Sequence, residues 1–230
     1  TEANDGKIVI VCGPFELTTP SYDEELGLTI DSIRTSRSKQ TMKLNKTTKA
    51  TKANAETLTE EEKRNGVLEW STAYRDKTLN GEGKIGNYTL SQDFIDAIVL
   101  NGTWNDYDRS ELEASGYVWV TDANYSQKDF IEPLSQTQRD YNENDYRYFY
   151  DGSNFKTGQT VTAIGIQDGD TLSAVAGITN NLMENELDRE TAIAQGGVPG
   201  FGTSVFSIIF SLIPLLAGVV LLFTSGTRKP

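Results

Sequence analysis

The feature that most constrains this 230-residue chain is an uncharged run near its end, Val205-Phe-Ser-Ile-Ile-Phe-Ser-Leu-Ile-Pro-Leu-Leu-Ala-Gly-Val-Val-Leu-Leu-Phe223. As a helix, its 19 residues would extend about 28 Å, close to the ~30 Å hydrocarbon thickness of a bilayer. The run lacks the polar stripe that a helix buried in a soluble core carries. Ser207 and Ser211 can bond back to the helix's own carbonyls, and membrane helices tolerate a proline such as Pro214 when neighbours compensate. With Gly218 these serines form a small-residue face suited to close helix packing. The expectation is therefore a soluble domain over 1–195, a glycine-rich linker over 196–204, a transmembrane helix over 205–223 and a short basic tail over 224–230.

Arg228 and Lys229 follow the run, and the nearest basic residue before it is Arg189. The positive-inside rule then assigns the tail to the cytoplasmic, stromal or matrix side and the large domain to the lumenal side. The first residue is Thr1, with no hydrophobic leader ahead of it, so the expectation is a chain processed from a precursor.

All 33 acidic residues but only 19 of the 21 basic ones precede the run, a balance of −14. Nucleic acid, which demands net basic surface, is thereby excluded as a general partner. The chain has no histidine and one cysteine, Cys12. That removes serine and cysteine catalysis through histidine, haem ligation by histidine and the usual zinc sites. Cys12 lies in Ile8-Val-Ile-Val-Cys-Gly13, which reads as a buried strand ending before Pro14, so its thiol is expected in the core. A carboxylate pair remains available at Asp168-Gly-Asp170, but the ligand spacing of a calcium loop is missing there, and the segment reads as a turn. No catalytic residue, metal site or cofactor is expected.

Leu26 to Ile33 alternates with period two, with Leu26, Leu28 and Ile30 on one face of a half-buried strand. From Arg34 to Lys52 come seven basic residues and no acid. This segment reads as a solvated loop, or as a docking segment for an acidic partner or anionic lipid through Arg34, Arg37, Lys39, Lys43 and Lys46. Thr59 and Glu62 mark a helix start, and Val67 to Tyr74 reads as a strand. Ser91 to Leu100 is an amphipathic helix capped by Ser91, with Phe94, Ile95, Ile98 and Val99 at helical spacing, ended by Asn101-Gly102. Tyr117–Thr121 and Tyr146–Tyr150 read as strands, residues 160–175 as a hairpin turning at Asp168-Gly169, and Asn180 to Ala194 as a second helix. The class is α+β, a mainly antiparallel sheet with isolated helices, plus the C-terminal transmembrane helix.

The chain carries ten tyrosines and three tryptophans. Tyr146, Tyr148 and Tyr150 share one strand face, which sheet packing or a tyrosine-rich partner surface would explain. Four segments are acceptors for N-linked glycans: Asn45-Lys-Thr, Asn87-Tyr-Thr, Asn101-Gly-Thr and Asn124-Tyr-Ser. Asn45, in the basic segment, is expected free to accept one. At Asn87, ordered and partly buried backbone is expected to exclude it.

Several segments in order resemble the LUMA-type (transmembrane protein 43) family of membrane proteins. They are Asp5-Gly-Lys-Ile-Val-Ile-Val-Cys-Gly13 with Leu17-Thr-Thr19; Asp23-Glu-Glu-Leu-Gly-Leu28 with Ile33-Arg34 and Met42; Glu69-Trp70-Ser71; Ile85-Gly-Asn-Tyr-Thr-Leu-Ser-Gln-Asp-Phe-Ile-Asp96; and Tyr146 to Tyr150 with Thr160 to Leu172. The resemblance spans about residues 5–175. It implies a scaffold, with no activity, cofactor or catalytic residues, whose soluble domain is lumenal and whose partners are other integral membrane proteins and the lipid bilayer. Family members carry one helix before this domain and several after it, whereas this chain shows only the run after it. The expectation is a non-catalytic single-pass scaffold or accessory subunit of a larger membrane-protein complex. An organelle membrane, thylakoid or mitochondrial, is favoured over the endoplasmic reticulum and nuclear envelope. The alternatives are a LUMA-like organiser of those two membranes and a lumenal lipid- or ligand-sensing domain.

Overall fold

The computed structural model describes residues 4–45, 66–121 and 129–198, and the backbone of 209–212. In chain order the elements are β1 (Ile8–Thr19), β2 (Ser21–Asp23), β3 (Leu28–Ile30), β4 (Arg34–Asn45), β5 (Val67–Trp70), β6 (Tyr74–Asn80), β7 (Glu82–Ile85), β8 (Tyr88–Leu90), α1 (Gln92–Asp96) and β9 (Gly102–Trp104). There follow α2 (Arg109–Ala114), β10 (Tyr117–Thr121), β11 (Asp129–Pro133), α3 (Leu134–Thr137), β12 (Tyr146–Gly152), β13 (Thr160–Asp168), β14 (Thr171–Ser173), β15 (Leu182–Glu184), α4 (Arg189–Gly196) and β16 (Ile209–Leu212). The described residues are thus β-rich, with short, isolated helices.

Five strands close a barrel. β1 pairs with β13 through residues 8–14 and with β7 from Phe15 onward, β7 with β8, β8 with β14, and β14 with β13. Every contact is antiparallel except β8 with β14. Numbered within the barrel, the order is 1-2-3-5-4-1 with its parallel contact between the third and fifth strands. A helix, α1, follows the third. This is the strand order of the oligonucleotide/oligosaccharide-binding barrel. β1 serves both neighbours because it changes partner at Gly13-Pro14. Pro14 was expected to end the strand. Instead it lies at the junction, where Gly86 donates to its carbonyl and Phe15 resumes the ladder by donating to Gln159. A residue without an N–H is harmless where the ladder changes hands.

The barrel interior is Val9, Val11, Phe15, Ile85, Leu90, Val161, Ala163 and Leu172, closed at one end by Phe94, Ile95 and Ile98. Ser91 caps α1 as its sequence indicates, accepting from the Phe94 amide. The helix stops at Asp96 rather than near Leu100. Asn101 already donates to Gly152, and the chain is drawn into β9 against β12.

Two long insertions leave the barrel, residues 20–81 between its first and second strands and 97–159 between its third and fourth. They meet in a second sheet of order β10-β11-β12-β4-β5, with β6 and β9 as further partners of β4 and β12. The seam is β4 against β12 in unbroken antiparallel register from Tyr146↔Thr41 to Gly152↔Thr35. Leu26, Leu28 and Ile30 are fully buried here with Leu79, Trp104, Tyr107, Leu112, Ile131, Tyr148 and Tyr150, but the strand expected over Leu26 to Ile33 is confined to Leu28–Ile30.

Other expectations need correction. Residues 34–45 form the long central strand β4, not a solvated loop. Of the expected helix over 180–194, the first part is β15, paired with β13, and α4 begins only after Asp188 caps it by accepting from Thr191. Leu182 and Met183 are buried on the barrel, and burial overrides the helical composition around them. The 160–175 hairpin forms, with Asp168 still in the ladder opposite Thr171 and the turn at Gly169-Asp170. Within the expected membrane span, residues 209–212 run extended and parallel to Val9–Cys12 of β1. The rest of 205–223, including Ser207, Pro214 and Gly218, lies outside the described residues, as do Lys46, the Thr59–Glu62 helix start, Asn124 and the basic tail.

Candidate functional site: a lysine–tyrosine sheet face

The β4–β12 seam brings together two sets of residues that are far apart in sequence. In its register Arg37 faces Tyr150, Lys39 faces Tyr148 and Thr41 faces Tyr146. Facing residues of an antiparallel pair share one side of the sheet, and so do residues two apart. Arg37, Lys39 and Lys43 therefore lie on the side that holds Tyr146, Tyr148 and Tyr150. Arg34 points to the other side, where its guanidinium donates to the Ile98 carbonyl and ties β4 to the barrel's α1 end.

This face grades from buried to open. At its deep end Arg37 is 3% exposed and holds three carboxylates: Asp23 at 2.9 Å, Glu25 at 2.5 Å and Asp76 at 2.5 Å. Tyr150 donates to Asp23 at 2.6 Å and Tyr148 to Glu25 at 3.0 Å, while the Arg37 guanidinium lies over the Tyr148 ring at 4.4 Å. Burial, with Asp23 beside one phenol and Glu25 beside the other, pushes both tyrosines far above the ordinary phenol range. Burial also disfavours the Arg37 charge, but the hydrogen bonds it donates to Glu25 and Asp76 outweigh this and hold the guanidinium ionised. Arg37, Tyr148 and Tyr150 are thus interior groups bound to one another, unable to reach a partner directly. Asp23, Glu25 and Asp76 surround an arginine, and no group of three or more His, Cys, Asp or Glu placed to hold a metal occurs among the described residues.

The open end begins at Lys39, whose ammonium lies 4.4 Å from the centre of the half-buried Tyr146 ring. Tyr117 brings its hydroxyl to within 3.5 Å of that of Tyr146. Across β4, Lys39 pairs with Tyr74, which is 52% exposed, and Lys43 is exposed opposite Glu69. A fixed cation over a phenol, rimmed by exposed tyrosine and lysine, is rigid, amphipathic surface of the kind that docks proteins. Sequence reasoning named six residues of this face, Arg37, Lys39, Lys43, Tyr146, Tyr148 and Tyr150, but missed Tyr74 and Tyr117. Neither signals its place locally, since each reaches the face through pairing of distant strands.

Among the described residues, clefts also occur away from this face. One, of about 360 Å³, has Phe155 and Met183 in its lining with the amides of Asn101, Asn180, Asn185 and Gln195. Another, of about 310 Å³, lies beside β10 between Arg109, Leu112 and Trp119. Asp168 and Asp170 are exposed at the barrel's hairpin turn. Cys12 is buried and shares a hydrogen bond of 3.2 Å with Thr162. Burial raises its thiol pKa, the opposite of what a nucleophile needs. Comparison of the chain with protein-family models, with curated proteins and with solved structures finds no match.

Proposed function

We propose that this chain is a non-catalytic docking subunit of a larger membrane-protein complex. It engages partners through the open end of its lysine–tyrosine face, with the uncharged run 205–223 proposed as its bilayer anchor in place of the pairing of residues 209–212 along β1. The observation that carries the reading is the gradation of that face. Its ionic groups are consumed in fixing β2, β4, β6 and β12 to one another, and what remains outward is a stiff surface of Lys39, Lys43, Tyr74 and Tyr146.

The barrel supports the same reading. In barrels of this strand order, ligands are held on the face of the second and third strands and by the loops between the first two and the last two strands. Here the first of these loops is the long insertion 20–81 with its own buried residues, and the second is the tight acidic turn at Asp168-Gly-Asp170. The charge balance of −14 before the run disfavours an oligonucleotide as a general partner. Lipid sensing by the basic segment is less well supported, because Arg37 is buried and Arg34 is half-buried and bonded to Ile98. The ordered resemblance to LUMA-type scaffolds supports a lumenal organising domain.

Purification in mild detergent tests this. The chain should migrate in a large complex of fixed stoichiometry, and Tyr74→Ala with Lys43→Glu should release it. Both side chains are exposed, so stability should change by no more than about 0.5 kcal/mol. A wild-type chain that migrates alone refutes the proposal.

A further inference from the structure

We infer that Asn87 is the glycan acceptor built into this fold, if the domain enters a compartment with N-glycosylation. The acceptor nitrogen must be accessible, and the sugar must leave the surface without displacing packed atoms. Asn87 meets both conditions. β7 and β8 are joined by the two-residue turn Gly86-Asn87, closed by the pair Ile85↔Tyr88. Gly86 takes φ 56° and Asn87 keeps a negative φ, the arrangement of a glycine-first hairpin turn. Asn87 is exposed at the tip, and no hydrogen bond holds its side chain among the described residues. Thr89, the third residue of the acceptor triplet, is exposed as well, while Tyr88 between them is turned into the barrel. The expectation that ordered backbone would exclude a glycan here is therefore reversed: the backbone is ordered, and that order is what thrusts the asparagine outward.

The other described acceptors are compromised by their contacts. Asn45 is half-buried, and its Nδ2, the atom that would carry the sugar, donates to Glu69 at 3.1 Å. Asn101 is exposed, but its Oδ1 accepts from the Asn154 amide at 3.0 Å, and the residue lines the 360 Å³ cleft that a sugar would have to fill.

Occurrence in the cell rests on the lumenal placement proposed above, so the test removes that dependence. The whole chain is sent through a eukaryotic secretory pathway behind a cleavable leader, with an acceptor triplet in an appended tag as the control for transit. Peptide mapping after enzymatic deglycosylation then reads the occupancy of each asparagine. Asn87 should be occupied more fully than Asn45 or Asn101. Asn87→Gln and Thr89→Ala should each abolish that glycan, and Asn87→Gln should leave the melting temperature unchanged. An unmodified Asn87 in molecules whose tag is glycosylated overturns the inference, as does higher occupancy at Asn45 or Asn101. A native chain without sugar beside a modified secreted one would instead count against a compartment with that machinery and leave Asn87's competence standing.

Discussion

The barrel and the second sheet solve the same packing problem with different materials. The barrel interior is aliphatic and phenylalanine-rich, with Val9, Val11, Phe15, Ile85, Val161 and Leu172 converging on one another. The second sheet buries Arg37, Asp23 and Arg147 beside its tyrosines. A closed ladder fixes the register of the barrel strands by geometry, so their contents need only be apolar and of fitting size. The second sheet has open edges and is assembled from two separate insertions. Directional charge pairs can specify how those insertions meet, at a desolvation cost that leaves the sheet sensitive to the loss of one partner.

The strongest way to break the comparison is Arg37→Met. It leaves Asp23, which is fully buried, without its cation, and should cost about 3–5 kcal/mol. Hydrogen exchange should accelerate in β4 and β12 well before β1 and β13; equal acceleration in both would show one cooperative unit. Phe94→Ala is the counterpart at the barrel's closed end. It removes a fully buried ring and should cost roughly 3 kcal/mol, with the protection order reversed.

Acid gives an intermediate test. Burial alone would raise the Glu25 carboxyl, but hydrogen bonds from Arg37 and Tyr148 hold it below the ordinary glutamate range. Its stabilising contribution is therefore complete above that range and is lost as pH falls through its folded value. Glu25→Gln should make the acid limb of the stability curve shallower. An unchanged limb would place acid sensitivity elsewhere. Smaller still is Ser91→Ala, which removes the α1 cap and should cost about 1 kcal/mol by chemical denaturation. Asp168→Asn, at an exposed turn, should fall within about 0.5 kcal/mol.

What the sequence made legible follows the same divide. The Ser91 cap, the alternation of Leu26, Leu28 and Ile30, and the strand Tyr117–Thr121 are local signals, and each appears in the structure. β4 was illegible because Arg-Thr-Ser-Arg-Ser-Lys-Gln-Thr carries no apolar period, and its burial comes from Thr35, Ser36, Arg37 and Gln40. The lysine and tyrosine candidates were named separately. Only the β4–β12 register joins them, and no local pattern encodes pairing across a whole insertion. Asn87 was misjudged because order in the backbone was equated with inaccessibility.

The junction at Gly13-Pro14 gives β1 two barrel partners made at very different times. Its first half waits for β13, and the Cys12–Thr162 contact spans 150 residues. At a synthesis rate of about 5–20 residues per second, that interval is roughly 8–30 s. Throughout it the strand Ile8-Val-Ile-Val-Cys12 has emerged without its barrel neighbour, while both insertions are completed. The second sheet can therefore zip together first, and the barrel is closed by its own last two strands, β13 and β14, made after both insertions. That delay leaves the apolar segment Ile8-Val-Ile-Val-Cys12 without its β13 partner until both insertions have been made.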